Sequence, residues 1–449
     1  MKKFFRKWGV KDASVENIYQ LDGQVPVHSA IPFGLQHILA MFVANIAPVM
    51  IVAGACGLST QDTARLIQTA MMIAGIGTLI QLFPIWKIGS RLPVVMGISF
   101  TFVSVFCYVG PKYGYPAVIG AILVGGAVEA ILGLFAKYWR RVITPLVASC
   151  VVTSIGFSLL SVGANSFAGG TGSADFGCWQ NWVLGGVTLL SCILFNLFAK
   201  GHTKQLSVLF GLVVGYILAI LMKRVDFSAL NDISVVSLPK VLPYKPVFNL
   251  NAILSVITIF LVSATETIGD TSALTATVLK REATDREISG SLACDGLIST
   301  LSACFGCMPI TSFSQNIGLI AMTKVVNRFA IASGAIILIL AGIFPAVGAI
   351  LATLPEAVLG GCTIMMFGTI VVSGLQMLSR CGFSQRNITV AALSLSVGLG
   401  FTQAPEMFSI FPDLVRTVFA ENCVAVVFLV SIILDLVIPK EQQEIPAQD

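Results

Sequence analysis

Residues 306–323 read GCMPITSFSQNIGLIAMT. They sit late in an overwhelmingly apolar chain, and their reading decides the fold. Pro309 and the β-branched Ile310 and Thr311 favour extended backbone. Small polar residues follow, then two neighbouring carboxamides, Gln315 and Asn316, and then Gly318. Lipid offers an amide no partner, so a lipid-facing helix has no use for this pair. The stretch predicts a short extended piece leading into a helix that begins halfway across the membrane, with Gln315 and Asn316 at its start facing a polar cavity.

Residues 91–106, RLPVVMGISFTFVSVF, have the same layout: a Pro, β-branched residues, a Gly, then Ser99 and Phe100. Aligning Pro93 with Pro309 sets the two stretches 216 residues apart, which puts Ser99 on Gln315 and Phe100 on Asn316.

The surrounding chain is a membrane protein. Of its 449 residues 56% are hydrophobic and 11% charged, against about 25% charged in soluble domains. Apolar runs long enough for a hydrocarbon layer of about 30 Å recur throughout. Fourteen candidate spans fall at about 32–55, 63–88, 94–109, 116–135, 142–163, 182–199, 205–222, 251–271, 288–304, 314–327, 329–350, 356–375, 386–403 and 419–438. No polar stretch is long enough for a separate soluble domain. The expected fold class is therefore an all-α polytopic membrane protein with an extended piece in spans 3 and 10.

Alternating the loops from a cytoplasmic N-terminus puts 20 of the 27 Lys and Arg residues inside, as the positive-inside rule expects. Residues 1–31 and 439–449 are then cytoplasmic tails in a plasma membrane. Five basic residues in the first eleven serve that orientation; nucleic-acid binding is not expected. Matching breaks in spans 3 and 10 suggest two seven-span repeats. Because seven is odd, the second repeat enters the membrane upside down, and paired broken helices in such repeats point to a transporter's binding site. Both half-helices would aim unpaired N–H groups at one point.

Charges inside a membrane need a reason. Glu266 and Asp270, in FLVSATETIGDTSAL, are four apart and share one helix face. Two carboxylates so close in a low dielectric cannot both ionise cheaply, which suits a proton carrier. Asp295, in LACDGLIST, is expected either to meet a partner inside the protein or to join the proton path. Gln36 and His37 are read as site-organising residues. Glu129 is expected to snorkel or to pair with another helix and receives no role; Glu356 and Asp435 are read as interfacial. Eleven scattered cysteines, including the lone Cys304-x-x-Cys307, and three histidines give no metal-ligand pattern. No metal or cofactor is expected, the proton serving as coupling ion. No nucleophile–base set argues for an enzyme.

The run Gln315-Asn316-x-Gly318-x-x-x-x-Thr323-Lys324 resembles the signature [QEP]-N-x-G-x-x-x-x-T-[RKG] of the nucleobase–ascorbate transporter family. Gln36-His37 is similar to that family's second motif, and Ala264-Thr265-Glu266-Thr267-Ile268-Gly269-Asp270 to its E-x-x-x-D segment in purine carriers. The resemblance implies a core domain of spans 1–4 (32–135) and 8–11 (251–350). It also implies a gate domain of spans 5–7 (142–222) and 12–14 (356–438), and a homodimer through the gate. Substrate would lie between spans 3, 8 and 10. Glu266 would accept from ring N–H groups, Gln315 would bind the other edge, and Phe100 would stack on the ring. Backbone amides near Phe100 and Gly318 would donate. Asn316 and the small Ser99 would complete the site, with Glu266, Asp270 and Asp295 handling the proton. Family uracil carriers tend to carry Glu and His where this chain has Gln315 and Asp270. That points to a xanthine or urate permease driven by protons, with membrane lipid as its other partner. The alternatives are a uracil or other nucleobase permease of the same fold, or an anion channel or carrier of the related sulfate-transporter fold.

Overall fold

The computed structural model describes residues 14–227, 236–412, 415–420 and 422–439. The tails at 1–13 and 440–449 lie outside the described residues. The helices of eight residues or more run in order α1 (Val27–Ala55), α2 (Thr60–Leu82), α3 (Val103–Tyr113), α4 (Tyr115–Leu134), α5 (Pro145–Phe167), α6 (Trp179–Phe198) and α7 (Ser207–Leu221). They continue with α8 (Leu250–Leu274), α9 (Asp285–Cys304), α10 (Ser314–Thr323), α11 (Arg328–Ile343), α12 (Pro345–Ala352), α13 (Glu356–Arg380), α14 (Gln385–Gln403) and α15 (Cys423–Val437). Side-chain caps fix many of the starts. Ser59 accepts from the Asp62 amide, Thr144 from Val147 ahead of Pro145, and Asn249 from Ala252; Thr284 and Glu287 form a reciprocal capping box.

Among the described residues, seven helices are long and apolar enough to cross a membrane by themselves: α1, α2, α4, α5, α6, the α8 segment and α13. An eighth crossing results if α11 and α12 count together. They meet at 79°, because Pro345 cannot donate to the preceding turn. The eleventh span, expected as one run over 329–350, is thus a bent pair. The α7 and α15 helices are apolar but shorter. The chain is a multi-pass, almost entirely helical membrane protein.

Small residues set the helix neighbours. Gly126 and Gly133 of α4 lie directly on Gly296 and Ala293 of α9, with no room for a Cβ between them. Helix α11 runs along α1 and α2. Helix α13 runs along α5 and α6, with Gly360 against the backbone of Phe167 and Gly374 against Thr153. Close backbone approach through Gly is how helices associate where lipid competes for apolar surface.

The exception to helix is a two-stranded antiparallel ribbon, β1 (Met96–Ile98) with β2 (Ile310–Ser312), pairing Met96 with Ser312, Gly97 with Thr311 and Ile98 with Ile310. It is fully buried. A ribbon of two strands leaves two outer edges, and an unpaired N–H there costs about 1–3 kcal/mol. All four outward amides are satisfied by side chains. Met96 donates to Thr78 Oγ1 (3.0 Å), Ile98 to Asn45 Oδ1 (2.8 Å), Ile310 to Ser299 Oγ (3.2 Å) and Ser312 to Asp295 Oδ2 (3.1 Å). Polar residues on α1, α2 and α9 therefore make non-helical backbone tolerable in an apolar interior.

Both expected extended pieces are present, but their alignment differs. The strands begin at Met96 and Ile310 and end at Ile98 and Ser312, which is 214 residues apart rather than 216. Thr101, not Ser99, is the counterpart of Gln315, and Phe102 that of Asn316. The prolines misled because each stands outside its strand, where nothing fixes its distance to the helix start.

The N-terminal region is more than a tail. Residues Val15–Tyr19 form a 3₁₀ turn, and Asn327 Nδ2 donates to the carbonyls of Asn17, Gln20 and Gly23. Asp22 binds both Arg91 (3.2 Å) and Arg328. Arg286 donates to the carbonyls of Trp86, Lys87 and Gly89. The loops assigned to the inner side thus meet at one end of the molecule. Asp435, expected at the interface, is instead buried and paired with Arg386 at 2.9 Å.

Candidate functional site

The ribbon delivers two helix starts to one face of α8. After β1, a 3₁₀ turn over Phe100–Phe102 leads into α3; after β2, α10 begins directly at Ser314. Facing them are Glu266 and Asp270, one turn apart on α8 and both half-buried. Thr101 Oγ1 donates to Glu266 Oε2 at 2.7 Å. Ser314 Oγ lies 3.3 Å from Glu266 Oε1 and 2.8 Å from Asp270 Oδ2, and Ser312 Oγ donates to the same Asp270 oxygen at 3.1 Å. Each broken segment therefore reaches Glu266 with a hydroxyl.

These contacts limit the protons. Ser314 has one hydroxyl hydrogen and can donate to only one of the two carboxyls at a time. The shorter contact takes it to Asp270. The longer one is then a hydrogen bond only when Glu266 carries a proton. The Ser314 hydroxyl thus bridges the two carboxyls.

Behind this layer is a second, fully buried one. Asp295 of α9 accepts from Thr267 Oγ1 (2.6 Å), the Ser312 amide (3.1 Å) and Gln81 Nε2 (3.2 Å), and Gln81 Oε1 in turn accepts from Ser90. Asp295 thus has partners inside the protein, the first of the two expectations for it. It ties α8, α9, α2 and β2 together.

His37 of α1 meets Asn316 of α10 at 2.6 Å, Nδ1 to Oδ1. Asn316 Nδ2 donates to the Pro93 carbonyl at 3.3 Å, so its Oδ1 is the acceptor and His37 Nδ1 carries the hydrogen. His37 thus holds the amide that reaches the start of the other segment. Gln36 points elsewhere, and its buried Nε2 has no hydrogen-bond partner. Ser99 is buried, its amide bonded to the Pro309 carbonyl at 3.1 Å. Phe100 packs edge-on against Phe367 of α13, centroids 5.4 Å apart at 84°. Gln315 and Gly318 lie in the first turns of α10, and the Gln315 side chain is outside those described.

Thr101, Ser312, Ser314, Thr267 and Gln81 were missed as functional residues. Hydroxyls at the two strand ends were the available signal for the first three, once the strand ends rather than the prolines set the alignment. Two surface cavities of about 380 and 390 Å³ are lined by residues such as Arg65 and Tyr244, and Arg224 and Glu356; neither lining includes Glu266.

A half-buried acid pair flanked by two interrupted segments is what the sequence motifs lead to. A model of a permease family matches residues 28–407. The chain belongs to the nucleobase–ascorbate transporter family. It is a transporter, not an enzyme. It is 33% identical to the xanthine permease XanQ of Escherichia coli, covering 96% of this chain and 95% of that one. It is 36% identical to the uric acid permease PucK of Bacillus subtilis, covering 84% and 88%. Among solved structures it is similar to the transmembrane domain of the cyanobacterial bicarbonate transporter BicA, with a TM-score of 0.54, 16% identity, and 91% and 97% of the two chains covered. That likeness concerns the fold.

Proposed function

We propose that this permease takes up an oxidised purine base, xanthine or urate, across the plasma membrane together with a proton. The observation that carries the reading is the pair Glu266 and Asp270, bridged by the Ser314 hydroxyl and reached by both broken segments. The relatives named as xanthine and uric acid permeases give the substrate class. Each Glu266 oxygen takes one described hydroxyl contact and keeps capacity for a second donor. Ring N–H groups of the purine supply it, Gln315 binds the opposite edge, and amides near Phe100 and Gly318 add donors. Phe100 turns from Phe367 to stack on the base.

In this reading the chain spans the membrane fourteen times as two inverted seven-span repeats, with both termini cytoplasmic. Spans 1–4 and 8–11 form the core and spans 5–7 and 12–14 the gate, through which two copies pair. The runs of α11 along α1 and α2, and of α13 along α5 and α6, support that division. Glu266 takes a proton from outside, which removes a charge that would be costly to carry through a dry, closed state. Asp270 shares it, and Asp295 holds the second segment in place. A base lacking the right donors leaves buried groups unpaired and is rejected.

The test is uptake of radiolabelled xanthine and urate into reconstituted vesicles under an imposed inward proton gradient, with uracil and sulfate as competitors. Accumulation that collapses with the gradient and is blocked by purines supports the proposal. Saturable uptake blocked by uracil or sulfate instead would overturn the substrate assignment.

A further inference from the structure

Helix α4 carries an acid that the transport reading leaves unused. Glu129 is 1% exposed, and neither of its carboxyl oxygens has a hydrogen-bond partner. It does not snorkel, and among the described residues it faces no cation; its charged neighbours are Asp295 of α9 and Glu266 of α8, both acids. Ser263 of α8 is its polar neighbour, close enough to interact but not aligned for a hydrogen bond, and the Ser263 hydroxyl is likewise fully buried and unpartnered. The placement follows from helix geometry. One turn earlier, Gly125 lies against Phe260; one turn later, Gly133 lies against Ala293. Between them, Glu129 is aimed at Ser263, which is three residues before Glu266 on the same helix.

An ionised carboxylate with no donor and no cation in such a place is far too costly to keep. The tight α4–α9 contacts, Gly126 on Gly296 and Gly133 on Ala293, leave no shell of oxygen ligands for a metal cation. The ligand that fits is a proton. We propose that Glu129 is a second proton-binding residue of the carrier, held as the acid in this conformation and coupled electrostatically to Glu266 and Asp295. The second half of this proposal rests on the proton-coupled reading of the site; the first half does not.

The titratable groups on the helices packed against α4 are Glu266 and Asp270 on α8, Asp285, Arg286, Glu287, Cys294, Asp295 and Cys304 on α9, and Cys107, Tyr108, Lys112 and Tyr113 on α3; of these, Cys294 turns to Gly77 and Met96 and Asp270 is taken up by Ser312 and Ser314. Whenever Glu129 loses its proton, it makes a second charge on Glu266 harder to form. In those steps of the cycle in which Glu129 is ionised, a neutral replacement lets Glu266 deprotonate more readily, so the alkaline limb of uptake moves to lower pH.

Two measurements on Glu129→Gln decide the matter. The first is infrared titration of the purified protein without substrate. The carboxylic-acid C=O band of the wild type should lose one component in the variant. The second is the pH profile of xanthine and urate uptake in vesicles. Uptake at acidic pH should persist while the alkaline limb shifts acidward. An unchanged infrared band would overturn proton binding at Glu129, and superimposable pH profiles would overturn its coupling to the cycle. If the variant fails to fold, Glu129→Asp should keep the acid band at a shifted frequency, and an unshifted band again overturns the proposal. If sodium at fixed pH reproduced the effect of protons, the bound species would be a cation and the proposal would fall. Wild-type uptake that ignores a proton gradient would sink the transport reading while leaving the infrared result to judge Glu129.

Discussion

The two interrupted segments share a backbone and differ in chemistry. Residues 96–113 and 310–323 each run strand, then helix start, and they pair with each other in the middle of the molecule. The first segment gives the site shape: Phe100 and Phe102 are buried rings, and Thr101 alone reaches Glu266. The second gives it hydrogen bonds, through Ser312, Ser314 and an Asn316 held from behind by His37. Their supports differ too. The outer edge of the first strand rests on two neutral groups, Thr78 and Asn45, and that of the second on Ser299 and the acid Asp295. Two half-helices joined through paired strands therefore need not be chemically symmetric: one half can be specialised as wall and the other as ligand.

Glu266 belongs to neither segment and is touched by both, so its loss should have the largest effect. Glu266→Gln should reduce accumulation of xanthine and urate to background, because the variant lacks the group that carries the proton in the proposed cycle. The melting temperature in detergent should change little, since an amide oxygen still accepts from Thr101. Wild-type accumulation in this variant would remove Glu266 from the mechanism.

Next in size is a change that acts on one segment only. Asp295→Ala strips the partner from the Ser312 amide and from the Thr267 hydroxyl, while Gln81 keeps Ser291, and each buried orphan costs about 1–3 kcal/mol. Thr78→Val leaves only the Met96 amide bare. Thermal unfolding in detergent should show the first loss to be about twice the second, in line with the count of orphaned groups. Equal losses would mean that the supports of the two segments are equivalent after all.

The sequence made the broken segments legible because a Pro, β-branched residues and adjacent amides contradict a lipid-facing helix, whatever they pack against. The acids of α8 were legible for the same reason: charge in an apolar run demands an account. The ribbon's supports were hidden. Thr78, Asn45 and Ser299 are ordinary polar residues in long helices, and only the strand register shows which amides they serve. Thr101 was hidden behind a two-residue misalignment. Glu129 was visible as a charge, yet the sequence left it to snorkel or to pair with another helix, and only the Gly125 and Gly133 contacts reveal the face on which it lies. The bend at Pro345 was also present as a residue, but a single Pro in an apolar run does not tell a kink from a break.

Gly97 offers a milder way to probe the centre of the ribbon. A Cβ there would lie 2.9 Å from both the Met41 and Phe313 side chains. Gly97→Ala should therefore force a small displacement costing about 1–3 kcal/mol, read as a lower melting temperature with weaker uptake. Because Gly97 is paired with Thr311 of the other strand, both segments should suffer alike.

The smallest effect separates the two hydroxyls on Glu266. Thr101→Ala removes one hydrogen bond of 2.7 Å to a group that keeps its other contact, a loss of about 1 kcal/mol or roughly fivefold in affinity. Thr101→Ser should restore it. Ser314→Ala removes the hydroxyl that lies between Glu266 and Asp270, so it should alter the pH dependence of uptake as well as affinity. Uptake measured from acidic to alkaline pH distinguishes them. If Thr101→Ala shifted the pH profile as much as Ser314→Ala, the proton would be shared through the first segment, and the division into wall and ligand would not hold.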